Sequence, residues 1–245
     1  MTIGAALWRD SNGKIYLFED AHYYRISEPG DGYVDEGYPK YTSEHWPDAM
    51  ESFEYGRIDA ALMRSSNGKI YLFSGDQYIR YSRIADGVDE GYPMAIADHW
   101  PGLPDHFAEG IDAALMRGNG KIYFFKGDEY VRFTNPHAGV DPGYPKYIAD
   151  EWHGMPDHFA DGIDAALYRK DNGKIYLFCG DEYVRFDDDD VHSGVEDGYP
   201  QPVAGNWLPE YDDGGDDEEY EEGGYSEYED EEGGYSEYNE DEDYG

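Results

Sequence analysis

The chain has 245 residues, with 56 Asp and Glu against 18 Lys and Arg, for a formal net charge of −38. That balance excludes nucleic acid and anionic membrane surfaces as partners, since both are held by clustered Lys and Arg. A single cysteine, Cys179, excludes a disulfide scaffold, and no run approaches the roughly 18 apolar residues that span a bilayer.

From the N-terminus, Met1–Lys14 lacks a basic segment followed by an apolar one, so no export leader is read there. The expected compartment is the cytoplasm, and a lone thiol suits its reducing conditions. At Ile3 a pattern begins that returns at Ile58, Ile111 and Ile163, as Ile-Gly-Ala-Ala-Leu once and Ile-Asp-Ala-Ala-Leu three times. Each copy continues with Asn-Gly-Lys-Ile-Tyr, starting at Asn12, Asn67, Asn119 and Asn172. Next come Tyr-x-Arg at Tyr23, Tyr78, Tyr130 and Tyr183, then Gly-Tyr-Pro at Gly37, Gly91, Gly143 and Gly198. A tryptophan closes each unit: Trp46, Trp100, Trp152 and Trp207. The units are set at 3–57, 58–110, 111–162 and 163–209, which makes 1–209 one repeat-built domain.

Within a unit the chemistry is that of β-strands. Asn-Gly between apolar runs predicts a tight type I′ hairpin, so Asn172 and Gly173 join a strand Asp164–Tyr168 to a strand Lys174–Phe178. Gly180 and Asp181 turn the chain into a third strand, Tyr183–Phe186. The second strands, such as Ile70-Tyr71-Leu72-Phe73, are apolar on both faces and must lie between two packed layers. A short edge strand is expected near Val-Asp-x-Gly-Tyr-Pro, where proline is tolerated, and one helical turn at Ala97–Trp100. A small sheet with two apolar faces needs neighbours. Four of them set radially cover one another, which predicts an all-β, four-bladed β-propeller. A linear stack would need polar end units, whereas the first and last units are as apolar as the middle ones.

The last stretch, 210–245, holds 19 Asp and Glu, no Lys or Arg, and no Val, Ile, Leu or Met. It cannot bury enough surface to offset the entropy of ordering and is read as a disordered acidic tail. It serves either as a solubilising brush or as a recruiter of cations, polyamines or a basic protein partner.

Asp-Ala-Ala, Lys-Ile-Tyr-Leu-Phe-x-Gly-Asp-x-Tyr-x-Arg-Phe, Gly-Tyr-Pro and Trp-Pro-Gly-Leu-Pro together resemble the hemopexin repeat, over residues 3 to about 209. In organisation the chain looks most like stand-alone plant albumin-2-type members, with no catalytic domain ahead of the repeats. Many animal members close the ring by a disulfide between first and last blades. Here that pair is missing, so closure falls to packing.

A radial fold sets equivalent residues in a ring, so Gly4, Asp59, Asp112 and Asp164 gather at one mouth of the central channel. At about 6 Å and an effective dielectric near 20, each carboxylate pair repels by roughly 2–3 kcal/mol, which a cation relieves. Inner-strand carbonyls facing the axis add hard oxygen donors suited to Ca²⁺ or Na⁺. The resemblance implies the same, with Ca²⁺, Na⁺ and chloride held along the channel mainly by backbone groups. The metal is assigned to Gly4, Asp59, Asp112 and Asp164, and a second ion or chloride layer to Ala6, Ala61, Ala114 and Ala166. The competing reading is that the Asp side chains cap nearby backbone N–H groups around a water-filled channel.

The Tyr-x-Arg pairs are read as blade surface and inter-blade packing, the tryptophans as plugs between blades, and Cys179 as an exposed or half-exposed thiol without a catalytic role. His106 and His158, both in Pro-Asp-His-Phe, are the candidate haem ligands. Haem and polyamines such as spermine are ligands the resemblance implies, and a strongly acidic molecule attracts polycations in any case. No Gly-x-Ser-x-Gly, His-Glu-x-x-His or phosphate loop is present, so no enzyme is expected. The expected function is a non-enzymatic ligand-binding propeller, with a structural, storage or protein-interaction role as the alternative, in a monomer or homodimer.

Overall fold

Each of the four repeats folds into one antiparallel sheet of four strands taken in chain order. The first blade holds β1 (Ala5–Arg9), β2 (Lys14–Glu19), β3 (His22–Ile26) and β4 (Lys40–Tyr41). The second holds β5 (Ala60–Arg64), β6 (Lys69–Ser74), β7 (Gln77–Tyr81) and β8 (Met94–Ala95). The third holds β9 (Ala113–Met116), β10 (Ile122–Lys126), β11 (Glu129–Phe133) and β12 (Lys146–Tyr147). The fourth holds β13 (Ala165–Arg169), β14 (Lys174–Cys179), β15 (Glu182–Asp187) and β16 (Gln201–Pro202). The computed structural model describes residues 2–27, 34–54 and 56–210. The acidic tail expected over 210–245 therefore lies, from Tyr211 onward, outside the described residues.

The innermost strands β1, β5, β9 and β13 stand side by side around one axis, and β1 lies next to both β5 and β13. The row of units is thus a closed ring and not a linear stack. The middle strands behave as their two-faced apolar pattern requires. In β2, Ile15 and Leu17 pack into the seam with blade 4, while Tyr16 and Phe18 pack into the seam with blade 2. Each tryptophan is buried in one seam. Trp46 meets Tyr16 and Phe18 of its own blade edge-on at 5.6 and 5.1 Å, and Tyr81 of the next at 5.8 Å. The last seam joins Ile3, Ile15 and Leu17 to Phe178, Trp207 and Leu208, and Lys170 of blade 4 pairs with Asp10 of blade 1 at 2.6 Å, so the ring shuts by apolar packing and an ion pair, without a covalent link.

Two local expectations need correction. The Asn-Gly hairpins are not two-residue type I′ turns. Arg9 pairs with Lys14, which leaves a four-residue loop. The Gly13 N–H donates to the Arg9 carbonyl at 2.9 Å, and of the two central residues only the glycine is left-handed, at φ 66°. A four-residue loop has room for an ordinary turn followed by one left-handed residue. The freed Asn12 side chain then accepts from the Lys14 N–H (3.2 Å) and donates to the Tyr16 hydroxyl (2.9 Å). The short edge strand expected near Gly-Tyr-Pro is present in every blade, two residues long and directly after the proline. The other correction is that a second helical turn stands in blades 1 to 3, at Ala49–Ser52, Asp105–Ala108 and Asp157–Ala160. In the last two it drives Phe107 and Phe159 fully into the core.

The Tyr-x-Arg arginines do more than cover the blades. Arg25, Arg80, Arg132 and Arg185 pair with Asp35, Asp89, Asp141 and Glu196, the acids two residues ahead of Gly-Tyr-Pro. Each guanidinium also lies over that motif's tyrosine ring, at 4.7 to 4.9 Å. Burial acts to raise the Asp141 carboxyl, but hydrogen bonds from the Thr134 N–H, Arg132 and the Thr134 hydroxyl outweigh it and hold the group below its ordinary 3.8. Asp35 and Asp89 are lowered in the same way. The unfolded chain therefore binds these protons more readily. Their stabilisation is complete above the ordinary value and is lost as pH falls through the lowered folded values. Protonating the rest of so acidic a surface relieves repulsion and works the other way. The informative quantity is thus a difference: the gap in urea midpoint between the parent and Asp141→Asn should be wide at pH 6 and shrink towards pH 2. A gap constant across that range would contradict the assignment.

Candidate functional site at the channel mouth

The inner strands enter the ring through residues that bond outward to their own blade. The N–H groups of Gly4, Asp59, Asp112 and Asp164 donate to the carbonyls of Phe18, Phe73, Phe125 and Phe178, at 2.8 to 3.0 Å. Each inner strand has a hydrogen-bonded neighbour on one side only, so its axial side has no strand partner. Gly4, Asp59, Asp112 and Asp164 line one cavity of about 390 Å³ at the mouth, together with Asp20, Glu109, Arg57 and Lys126. The ring inferred from the repeats is therefore a real juxtaposition.

The carboxylates in it are not free to converge. Asp59, Asp112 and Asp164 each accept from a backbone N–H in the following hairpin, at Gly75 (2.8 Å), Gly127 (2.8 Å) and Gly180 (2.6 Å). The second oxygen of Asp59 meets Arg57 at 2.7 Å, and that of Asp112 meets Lys126 at 2.6 Å. Among the described residues no three carboxylate, imidazole or thiol groups are gathered as side-chain ligands for a metal. Asp164 has no basic partner there.

One residue of this site escaped the sequence reading. Blade 1 has Gly4 where the others have Asp, and Asp20 where the others have Gly75, Gly127 and Gly180. The exchange is reciprocal. Asp20 takes the same left-handed turn, at φ 49° against 53° to 60° for the three glycines, a conformation that Asp adopts more readily than most residues. It lines the mouth, so blade 1 keeps a carboxylate there from the turn instead of the strand. The signal was available: two columns of the repeat change together in one unit.

Below the mouth, Ala6, Ala61, Ala114 and Ala166 form the next layer around a cavity of about 30 Å³, room for one or two water-sized particles. Trp8, Met63, Met116 and Tyr168 close it from the far end.

The candidate haem ligands sit elsewhere. His106 and His158 belong to equivalent helical turns of neighbouring repeats, Asp105–Ala108 and Asp157–Ala160, are about half exposed, and each faces its own carboxylate, Glu129 at 2.9 Å and Glu182 at 3.1 Å. Each ring lies against the adjacent Phe107 or Phe159. The structure does not bring the two imidazoles together at one site. Cys179 is half-buried with its thiol 3.5 Å from the His158 carbonyl. Burial, reinforced by Asp164, Glu182 and Asp161, pushes that thiol up to about 11, so it stays protonated and unreactive at neutral pH. No helix among the described residues is long and apolar enough to cross a membrane.

The family model described as hemopexin matches residues 3–48, 58–105, 111–157 and 163–210. Vitronectin from Oryctolagus cuniculus is 37% identical over 210 residues, which covers 68% of this chain and 40% of that protein. Vitronectin from Homo sapiens is 29% identical over 212 residues, covering 68% and 39%. Interstitial collagenase from Equus caballus is 32% identical over 176 residues, covering 71% and 34%. The chain thus spans 40% or less of the length of these relatives. Among solved structures, the hemopexin fold protein CP4 from cow pea superposes with a TM-score of 0.72 at 26% identity, covering 84% of this chain and 95% of that one. A 2S albumin seed protein from Dolichos gives the same TM-score and identity, covering 84% and 96%.

Proposed function

The chain belongs to the hemopexin family, and from that premise we propose that it is a non-enzymatic binding module whose channel mouth takes a hard cation, Ca²⁺ or Na⁺. The observation that carries this reading is the mouth itself. Gly4, Asp59, Asp112 and Asp164 line one cavity at the end of four inner strands whose axial sides are unpaired. Oxygen donors of this kind fit Ca²⁺ or Na⁺ and do not fit a softer metal. Arg57 and Lys126 are occupied by Asp59 and Asp112, which leaves Asp164, Asp20 and Glu109 as charge without a basic partner among the described residues. A bound cation would tie the four blades together at the hub. The alanine layer beneath has space for one further small ion or water.

The same acidity and a volume of about 390 Å³ support a polyamine such as spermine as the organic ligand at this mouth. Haem has less support, since His106 and His158 face separate glutamates on the surface. A storage role has one specific support, that the similar Dolichos structure is a seed albumin. The test is a thermal melt with Ca²⁺, with Na⁺ alone, with spermine, and with chelator, beside elemental analysis of the purified protein. Saturating Ca²⁺ at about 100 times its Kd should raise the melting midpoint by roughly 5–10 °C over the chelated protein. Asp164→Asn and Asp20→Gly should each reduce that shift. Identical melts in all four conditions, with no stoichiometric metal, would remove the reading.

A further inference from the structure

Each inner strand ends, at the pole opposite the acidic mouth, in an arginine or leads straight into one: Arg9, Arg64, Arg117 and Arg169. Three of the four are satisfied. Arg64, Arg117 and Arg169 lie over the rings of Tyr71, Tyr123 and Tyr176, at 5.5 to 5.6 Å. Arg169 also pairs with Asp171. Arg117 crosses the seam to blade 4, where its Nε donates to Asp188 Oδ1 at 2.6 Å and its Nη2 donates to the Asp188 carbonyl. Arg9 has no ion pair, side-chain hydrogen bond or ring contact among the described residues.

The repeat explains why. Asp188 stands two residues beyond Phe186, and the residue two beyond the matching Tyr81 of blade 2 is Arg83. The seam between blades 3 and 4 sets an acid opposite its arginine, whereas the seam between blades 1 and 2 sets a second arginine there. Arg9 and Arg83 line one cleft of about 330 Å³, walled by Met63, Ile70 and Ile84 and edged by Ser11. Arg83 approaches Asp86 at 3.5 Å, but that pair is 75% and 61% exposed and holds the guanidinium only loosely. In a chain with three acids for every base, two guanidinium groups share an apolar cleft without a buried acid between them.

We propose that this cleft binds a small organic carboxylate with an apolar body, its carboxylate standing where the Asp188 side chain stands in the seam between blades 3 and 4. Guanidinium forks match a carboxylate in geometry and charge, and the methionine and isoleucine walls cover the apolar remainder. The site is at the opposite pole from the cation mouth and does not depend on it.

The probe is 3-phenylpropionate, with 3-phenylpropionamide as its neutral counterpart, titrated by calorimetry and by the methyl NMR signal of Met63. The acid should bind one to one, shift Met63, and weaken as salt is raised. The amide should bind at least about tenfold more weakly, and so should the acid to Arg9→Met, since a charge-assisted hydrogen bond is worth about that factor or more. Arg83→Asp puts an acid opposite Arg9, as in blade 4. It should abolish binding and raise the melting midpoint together, a pairing of effects that mere damage to the loop does not produce. If Arg9→Met folds poorly, Arg83→Ala on the exposed loop carries the same expectation for binding. Equal affinity for acid and amide, binding unchanged in the Arg83 variants, or no binding of the acid at millimolar concentration would each overturn the proposal.

Discussion

Asp188→Ala is expected to destabilise the protein by about 3–5 kcal/mol, the loss that follows when one partner of a buried ion pair is removed. The two side chains are nearly out of water, Arg117 at 13% exposure and Asp188 at 7%. The carboxylate serves two elements, since its second oxygen accepts from the Gly118 N–H at 3.1 Å. Alanine strands the Arg117 guanidinium in the seam and leaves that N–H unpaired, and both losses act in one direction. For a domain of this size each kcal/mol is worth about 2–4 °C, so a fall of roughly 10 °C or more in melting midpoint is expected. The double variant Arg117→Met with Asp188→Leu separates the causes. If most of the cost is the stranded charge, the double variant recovers more than half of it. A loss below about 1 kcal/mol in Asp188→Ala would show that water reaches the pair and screens it.

This latch also marks where sequence reading ran out. The repeats exposed the blades, the two-faced middle strands and the seam tryptophans because each appears four times and answers to one physical requirement, the burial of both faces of a small sheet. Repetition also placed Gly4, Asp59, Asp112 and Asp164 at one mouth. What it hid are the positions where the units differ. Asp188, Asn135 and Arg83 occupy one column with three chemistries, and such a column reads as tolerant surface until the structure shows Arg117 reaching across to one member of it. Asp20 was hidden likewise, because its meaning lies in the simultaneous loss of Asp at position 4. The pairing of Arg132 with Asp141 lay between two recognised motifs and needed the strand geometry that brings them within 2.6 Å. The hairpin error had another source. Asn-Gly favours a type I′ turn only in a two-residue loop, and loop length is fixed by strand register, which a local dipeptide does not report.

Trp207→Ala is expected to cost about 3–5 kcal/mol, as Trp46→Ala is, because each empties a buried seam of an indole. Trp207 is 4% exposed and meets Tyr176, Phe178 and Tyr183 edge-on at 4.9, 5.2 and 5.7 Å. The two variants should nonetheless fail differently. The seam filled by Trp46 lies between blades joined by continuous chain, so blade 2 stays at high effective concentration beside blade 1 when packing weakens. The seam filled by Trp207 joins the last blade to the first with neither a chain connection nor a disulfide across it. Weakening it lets the ring open there without unfolding any blade. Amide exchange in β1 and β13 should therefore rise in Trp207→Ala by well over tenfold while β5 to β8 stay protected, whereas Trp46→Ala should lose protection everywhere together. Matching exchange patterns in the two variants would mean that the ring is one cooperative unit with no weaker seam. A cation at the hub, if bound as proposed, would touch all four inner strands and be the natural cause, and adding chelator to Trp207→Ala should then bring the local opening back.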